Sequence, residues 1–173
     1  MIDLGKDAFS KDHTIYWPEK YETVVEFLKN GHSTESSSHS LYTLNVEVLV
    51  LAACVGLVAN EKGKVPPEKK EIALSTFSSQ GLAFYLYLIP MLSQTLGDSE
   101  PDLDMLRNED GESRAIEIFE SYAAGGLQIL NDELITGGLK SPYLFIKDLS
   151  LKYASDSPIS STGQIKTVGI ELF

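Results

Sequence analysis

Reactive chemistry needs the right side chains at workable spacing, and this sequence has few candidates. Its three histidines, His13, His32 and His39, all lie in polar stretches near the start, and neither H-x-x-x-H nor C-x-x-C occurs. Scattered histidines with one cysteine are a poor donor set for tetrahedral zinc. That cysteine, Cys54, sits in the apolar run VLVLAACVGLV with no base close in sequence. It reads as a small buried hydrophobe, not a nucleophile. The chain has no G-x-S-x-G elbow and neither of the glycine-rich phosphate loops G-x-x-x-x-G-K-[ST] and G-x-G-x-x-G. The expected catalytic, cofactor and metal residues are therefore none.

One cluster has ligand-like spacing. Asp98, Glu100, Asp102 and Asp104 alternate, and Glu109 stands where a twelve-residue calcium loop places its last ligand. Leu103 occupies the position that needs glycine, and Pro101 stiffens the loop, so a solvated interhelix linker is the favoured reading. More informative is Ala123-Ala124-Gly125-Gly126 within a helical pattern. Interior glycine costs a helix roughly 1 kcal/mol relative to alanine, so a pair of them needs a reason. Small residues let another backbone approach, and Phe119, Leu127 and Leu130 would pack around that contact. The neighbour could be an internal helix or a partner. As a protein-interaction site the candidates are Phe119, Tyr122, Gly125, Gly126 and Leu127. A kink at the glycine pair is the remaining alternative. The final residues Gly169–Phe173 (GIELF) resemble the short C-terminal peptides with which bacterial proteins dock on the replication sliding clamp, but Gly169 stands where such peptides carry glutamine. A structural strand, paired with residues 72–76 or 14–17, is favoured.

The chain has 173 residues with 14 basic against 25 acidic side chains, a net charge of -11. Phosphate neutralisation requires lysine and arginine, so direct nucleic-acid contact is disfavoured. A negative surface instead steers towards basic partners. Two further classes stay open: an acidic DNA mimic or regulatory inhibitor, and a weak DNA-contacting module using Lys62, Lys64, Lys69 and Lys70. The start of the chain lacks a signal-peptide pattern, and the apolar run Val46–Ala59 is too short to span a bilayer, so a cytoplasmic setting is expected.

Positioning these residues falls to a mainly α fold, a compact bundle of about five helices with a small two-stranded β element involving the C-terminus. Residues 1–13 read as a flexible start and 14–173 as a single helical domain, with a Ser-rich loop at 31–40 and an acidic linker at 97–112. A first helix is predicted from Pro18 to Lys29, its stripe Tyr21, Val24, Val25 and Leu28. A second, Leu44–Glu61, is apolar nearly all round and belongs at the centre. An extended piece at Ile72–Thr76 precedes a third helix, Ser79–Leu96, which Pro90 should kink or break. A fourth runs from Ser113 to Ile135 and stops at Gly137-Gly138. Ser141-Pro142 start a fifth, reaching about Ala154. The closing QIKTVGIELF alternates like a strand.

Two stretches, VEVLVLAACVGLVANEKGKVPPEKKEIALSTF (46–77) and IFESYAAGGLQILNDEL (118–134), resemble a known family. Both are similar to the small accessory proteins encoded beside bacterial DNA phosphorothioation (Dnd) systems, called Dnd system-associated protein four. The F-E-x-Y-A-x-G-G-L-x-I-L portion is the more specific. This resemblance implies a non-enzymatic accessory subunit of an antiphage defence locus, with helicase or nuclease components as protein partners. It brings no catalytic residue with it.

Overall fold

The computed structural model describes residues 13–30, 41–97, 100, 102–137 and 142–155. Its axis is the contact between two helices, α2 (Asn45–Ala59) and α5 (Glu109–Asn131). The sequence of α2 is apolar nearly all round, so it belongs at the centre, and between its end residues only the stripe Glu47, Leu51, Cys54 and Val58 is left partly or wholly open. Leu49, Ala52 and Ala53 are fully buried. The first turn of α2 is closed by Glu47, whose carboxylate accepts the N–H groups of Thr43 at 2.8 Å and Leu44 at 2.9 Å. Those bonds hold Glu47 below the ordinary carboxylate range, against the desolvation that would raise it. At the other end Asn60 adopts a left-handed conformation (φ 53°), and the N–H of Glu61 returns to the carbonyl of Gly56 at 2.8 Å.

The start of α5 is equally well defined. The Asn108 side chain accepts the N–H of Gly111 at 2.8 Å, and Glu109, Asp110 and Glu112 supply negative charge to the first turn, where the helix dipole favours it. The helix therefore begins four residues before the predicted Ser113. It ends at Asn131, and a single π-helical turn, Asp132–Thr136, carries the chain to Gly137.

Strands β1 (Thr14–Pro18) and β2 (Lys69–Ala73) pair antiparallel, Ile15 opposite Ile72 and Trp17 opposite Lys70. The two-stranded element thus joins the segments offered above as alternative partners for the C-terminus. Residues 164–173 lie outside the described residues, as do 1–12 and the Ser-rich 31–40. Pro18 ends β1 instead of opening a helix. A 3-10 turn, Glu19–Tyr21, leads into α1 (Glu22–Asn30). The predicted stripe is nonetheless the buried one: Tyr21, Val24, Val25 and Leu28 all face the core.

The predicted third helix is two helices, α3 (Leu74–Ser79) and α4 (Tyr85–Leu96). The interruption falls at Gln80-Gly81, with Gly81 at φ 69°, and α4 runs through Pro90. Pro90 lies in the sixth position of α4, so its missing N–H costs a single bond to Leu86. Phe77 on α3 meets Phe119 on α5 edge to face, with ring centroids 5.9 Å apart. A 3-10 turn, Leu103–Leu106, breaks up the predicted linker. Last comes α6 (Pro142–Ser155), anchored by buried Phe145. Six α-helices stand among the described residues, one more than expected. No helix there is long and apolar enough to cross a membrane.

Candidate functional site

The small residues of α5 meet α2 of the same chain. A Cβ placed on Gly126 would lie 2.5 Å from the carbonyl carbon of Ala52, and nearer still to its oxygen. One on Gly56 would stand 3.0 Å from the carbonyl carbon of Tyr122, and one on Gly125 2.7 Å from that of Glu61. The two backbones touch without side chains between them. Phe119, Tyr122 and Leu127 flank this joint, each at most 2% exposed. The five residues considered above as an interaction site, Phe119, Tyr122, Gly125, Gly126 and Leu127, are therefore interior in this fold. The partner of the glycine pair is internal.

The joint has a consequence at its edge. Beyond α2 the chain passes directly over α5: the N–H of Gly63 donates to the carbonyl of Ser121 at 2.8 Å, and a Cβ on Gly63 would stand 2.8 Å from the carbonyl carbon of Ala124. Lys62 and Lys64, on either side of this fixed glycine, stand at a cleft of about 500 Å³. Lys20, from the 3-10 turn after β1, reaches the same cleft, and Gln128 of α5 and Asp132 of the π-helical turn after it form another wall. Lys62 lies over the Tyr122 ring (4.9 Å to its centroid) and Lys20 over that of Tyr21 (4.6 Å). The Tyr21 hydroxyl donates to Gln128 Oε1, and Gln128 Nε2 donates in turn to both carboxylate oxygens of Asp132, at 3.0 and 2.9 Å.

The four lysines grouped by sequence do not form one patch. Lys69 stacks over the Tyr16 ring at 3.5 Å, and Lys70 bonds to Glu22. Lys20, which does join Lys62 and Lys64, is separated from them by some forty residues, and no sequence spacing signals it.

Two carboxylates lie deeper. Glu120 Oε1 accepts the N–H of Tyr16 at 2.6 Å, serving the edge of β1 that faces away from β2. Burial pushes its carboxyl up to about 7, although that hydrogen bond and Lys69 pull the other way. Glu112 is buried, with its Oε2 3.6 Å from Nε2 of His13. Burial, and secondarily Glu112, raises the Tyr87 phenol well above its ordinary value. The Cys54 thiol, half-buried on α2, is likewise raised by burial, which leaves little thiolate for nucleophilic attack at neutral pH. In the linker, Asp102 accepts the N–H of Asp104 at 3.0 Å and pairs with Arg114 at 3.2 Å. Among the described residues no group of three or more histidine, cysteine or acidic side chains is placed to hold a metal ion. Asp98 and Pro101 lie outside them.

The surface also carries exposed leucines. Leu92 and Leu96 are 41% and 69% exposed, one turn apart on α4, and Leu103 and Leu106 are about half exposed on the following 3-10 turn. Gln94 ties these segments together by accepting the N–H of Asp102 at 2.6 Å. Exposed carboxylates stand near them in sequence at Glu100, Asp104, Glu109 and Asp110.

A family model described as DNA sulphur modification system-associated protein 4 matches residues 15–161. The chain belongs to this family. The match takes in β2, all of β1 but Thr14, the α2–α5 joint and the lysine cleft. No curated protein and no solved structure matches the chain.

Proposed function

We propose that this member of the DNA sulphur modification system-associated family is a non-catalytic subunit that acts by binding protein components of an antiphage defence locus, in the cytoplasm. The family match over residues 15–161 carries this reading. The surface supports it: exposed leucines at the end of α4 and on the next turn stand near carboxylates in sequence, in a chain of net charge -11. Grouped apolar side chains mark contact sites, and net negative charge steers a basic partner towards them. A helicase or nuclease subunit, basic because it handles DNA, has that complementary character.

The buried glycine joint fits the same role. A backbone-to-backbone helix contact holds α2 and α5 in a fixed relation, and a rigid scaffold lowers the entropy lost when its surface is bound. The acidic-mimic reading is less well supported, because Arg114 pairs with Asp102 and Arg107 lies 3.9 Å from Asp104 within the densest acidic run. The test is co-expression of the tagged chain with the helicase and nuclease products of a sulphur-modification locus. A stable complex with one of them at about 150 mM salt is expected. Recovery of the chain alone, with those products folded and present, would count against the proposal.

A further inference from the structure

The geometry points to a binding site for a small phosphate-bearing ligand of nucleotide size in the cleft between Lys20, Lys62, Lys64 and the α5 wall. Three observations combine. First, the three ammonium groups form no ion pair with any described residue, although the chain has carboxylates in excess. An ammonium is a compact point charge, well suited to a phosphate oxygen, and Lys20 and Lys62 are steadied over tyrosine rings.

Second, the segment carrying Lys62 and Lys64 is built in place before any ligand arrives. Asn60 turns it, the carbonyl of Gly56 holds Glu61, and Ser121 holds Gly63. No side chain larger than hydrogen fits at Gly63 without displacing α5. A pre-positioned cationic pair loses little freedom on binding. Third, the cleft is not uniformly basic. Asp132, on the turn after α5, and Glu61, beside Lys62, also line it, so acceptors for hydroxyl or amino hydrogens share the cleft with the ammonium groups. A ligand that carries both phosphate and O–H or N–H donors matches this mixed lining. At about 500 Å³ the cleft has the capacity for such a molecule.

The net charge selects the ligand's size. A polyelectrolyte feels the field of the whole molecule, which at -11 is repulsive, whereas a compact di- or trianion responds chiefly to the nearest lysines. This separates the site from a DNA track.

The experiment is calorimetric titration of the full chain with ADP, with inorganic pyrophosphate and adenosine as part-ligand probes and a single strand of about 12 nucleotides as the polymer probe. ADP should bind with a Kd below about 1 mM and more tightly than either part-ligand. Lys62→Gln with Lys64→Gln should weaken it about tenfold or more, while Lys147→Gln on α6 leaves it unchanged. Circular dichroism should show the variants folded, since all three lysines are exposed. Four results would overturn the inference: no ADP binding at about 5 mM; equal binding by the double variant; pyrophosphate binding as tightly as ADP; or oligonucleotide binding that strengthens with length.

Discussion

Replacing Gly126 by alanine tests the α2–α5 joint by the sign of its effect. In an open helix interior, glycine to alanine stabilises by about 1 kcal/mol, because alanine has the better helix propensity. Here the new methyl would sit 2.5 Å from the carbonyl carbon of Ala52 and 3.0 Å from its Cα, where ordinary contacts begin at 3.4 Å. The obstacle is backbone within a helix, so no rotamer change relieves it. The helices must separate by roughly an ångström along their most buried contact. Overpacking of this kind costs about 1–3 kcal/mol and sometimes more, and it must also cancel the propensity gain. Set against that gain of about 1 kcal/mol, a backbone collision this close, at the upper end of the range, should leave Gly126→Ala destabilised by about 1–2 kcal/mol net as read by urea denaturation. Trimming Ala52 to glycine should not rescue it, since the collision is with the Ala52 backbone. A Gly126→Ala protein as stable as the parent, or more stable, would refute the close approach. So would rescue by Ala52→Gly.

Three further outcomes follow from named contacts. Glu120→Gln keeps an acceptor for the Tyr16 N–H but removes the charge. Because the folded carboxyl is raised to about 7, the parent should lose stability relative to this variant as pH rises from about 4.5 through 7. Full linkage would be about 3 kcal/mol, reduced to about 1–2 by solvent screening at this part-exposed site, and parallel pH–stability curves would contradict it. Asn108→Ala removes the cap of α5 and should cost about 1 kcal/mol, while Asn108→Asp retains most of the stability; an unchanged melting curve for the alanine variant would contradict the capping role. Leu96→Glu with Leu103→Glu should change stability by less than about 0.5 kcal/mol yet abolish partner binding, so an intact complex would remove this surface from the account.

What could be read from the sequence divides along physical lines. Wherever a signal was local and periodic, it located an element. The all-round apolar run put α2 at the centre, and the stripe Tyr21, Val24, Val25 and Leu28 marked the buried face of α1 although the helix start was misplaced. Pro18 misled because its fixed φ suits a helix start and a strand end equally, and β2, which decides between them, lies some fifty residues away. The turn at Gly81 was overshadowed by Pro90, which breaks helices more often than it is carried within one.

The glycine pair signalled a close backbone approach correctly, but spacing along one helix cannot say what approaches. Only the fold reveals that Ala52 and Gly56 come to meet it. The cleft was half legible. Lys62 and Lys64 stood together in sequence, whereas Lys20, Gln128 and Asp132 reach it through tertiary packing. Sequence proximity also drew in Lys69 and Lys70, which the sheet turns to Tyr16 and Glu22.

Action through protein contact is tested most directly by size-exclusion chromatography with light scattering on the purified chain mixed with the purified helicase and nuclease components of a sulphur-modification locus. The predicted result is a defined complex with one component that the Leu96→Glu, Leu103→Glu protein fails to form. Independent elution of every component, at low salt as well as about 150 mM, would contradict it.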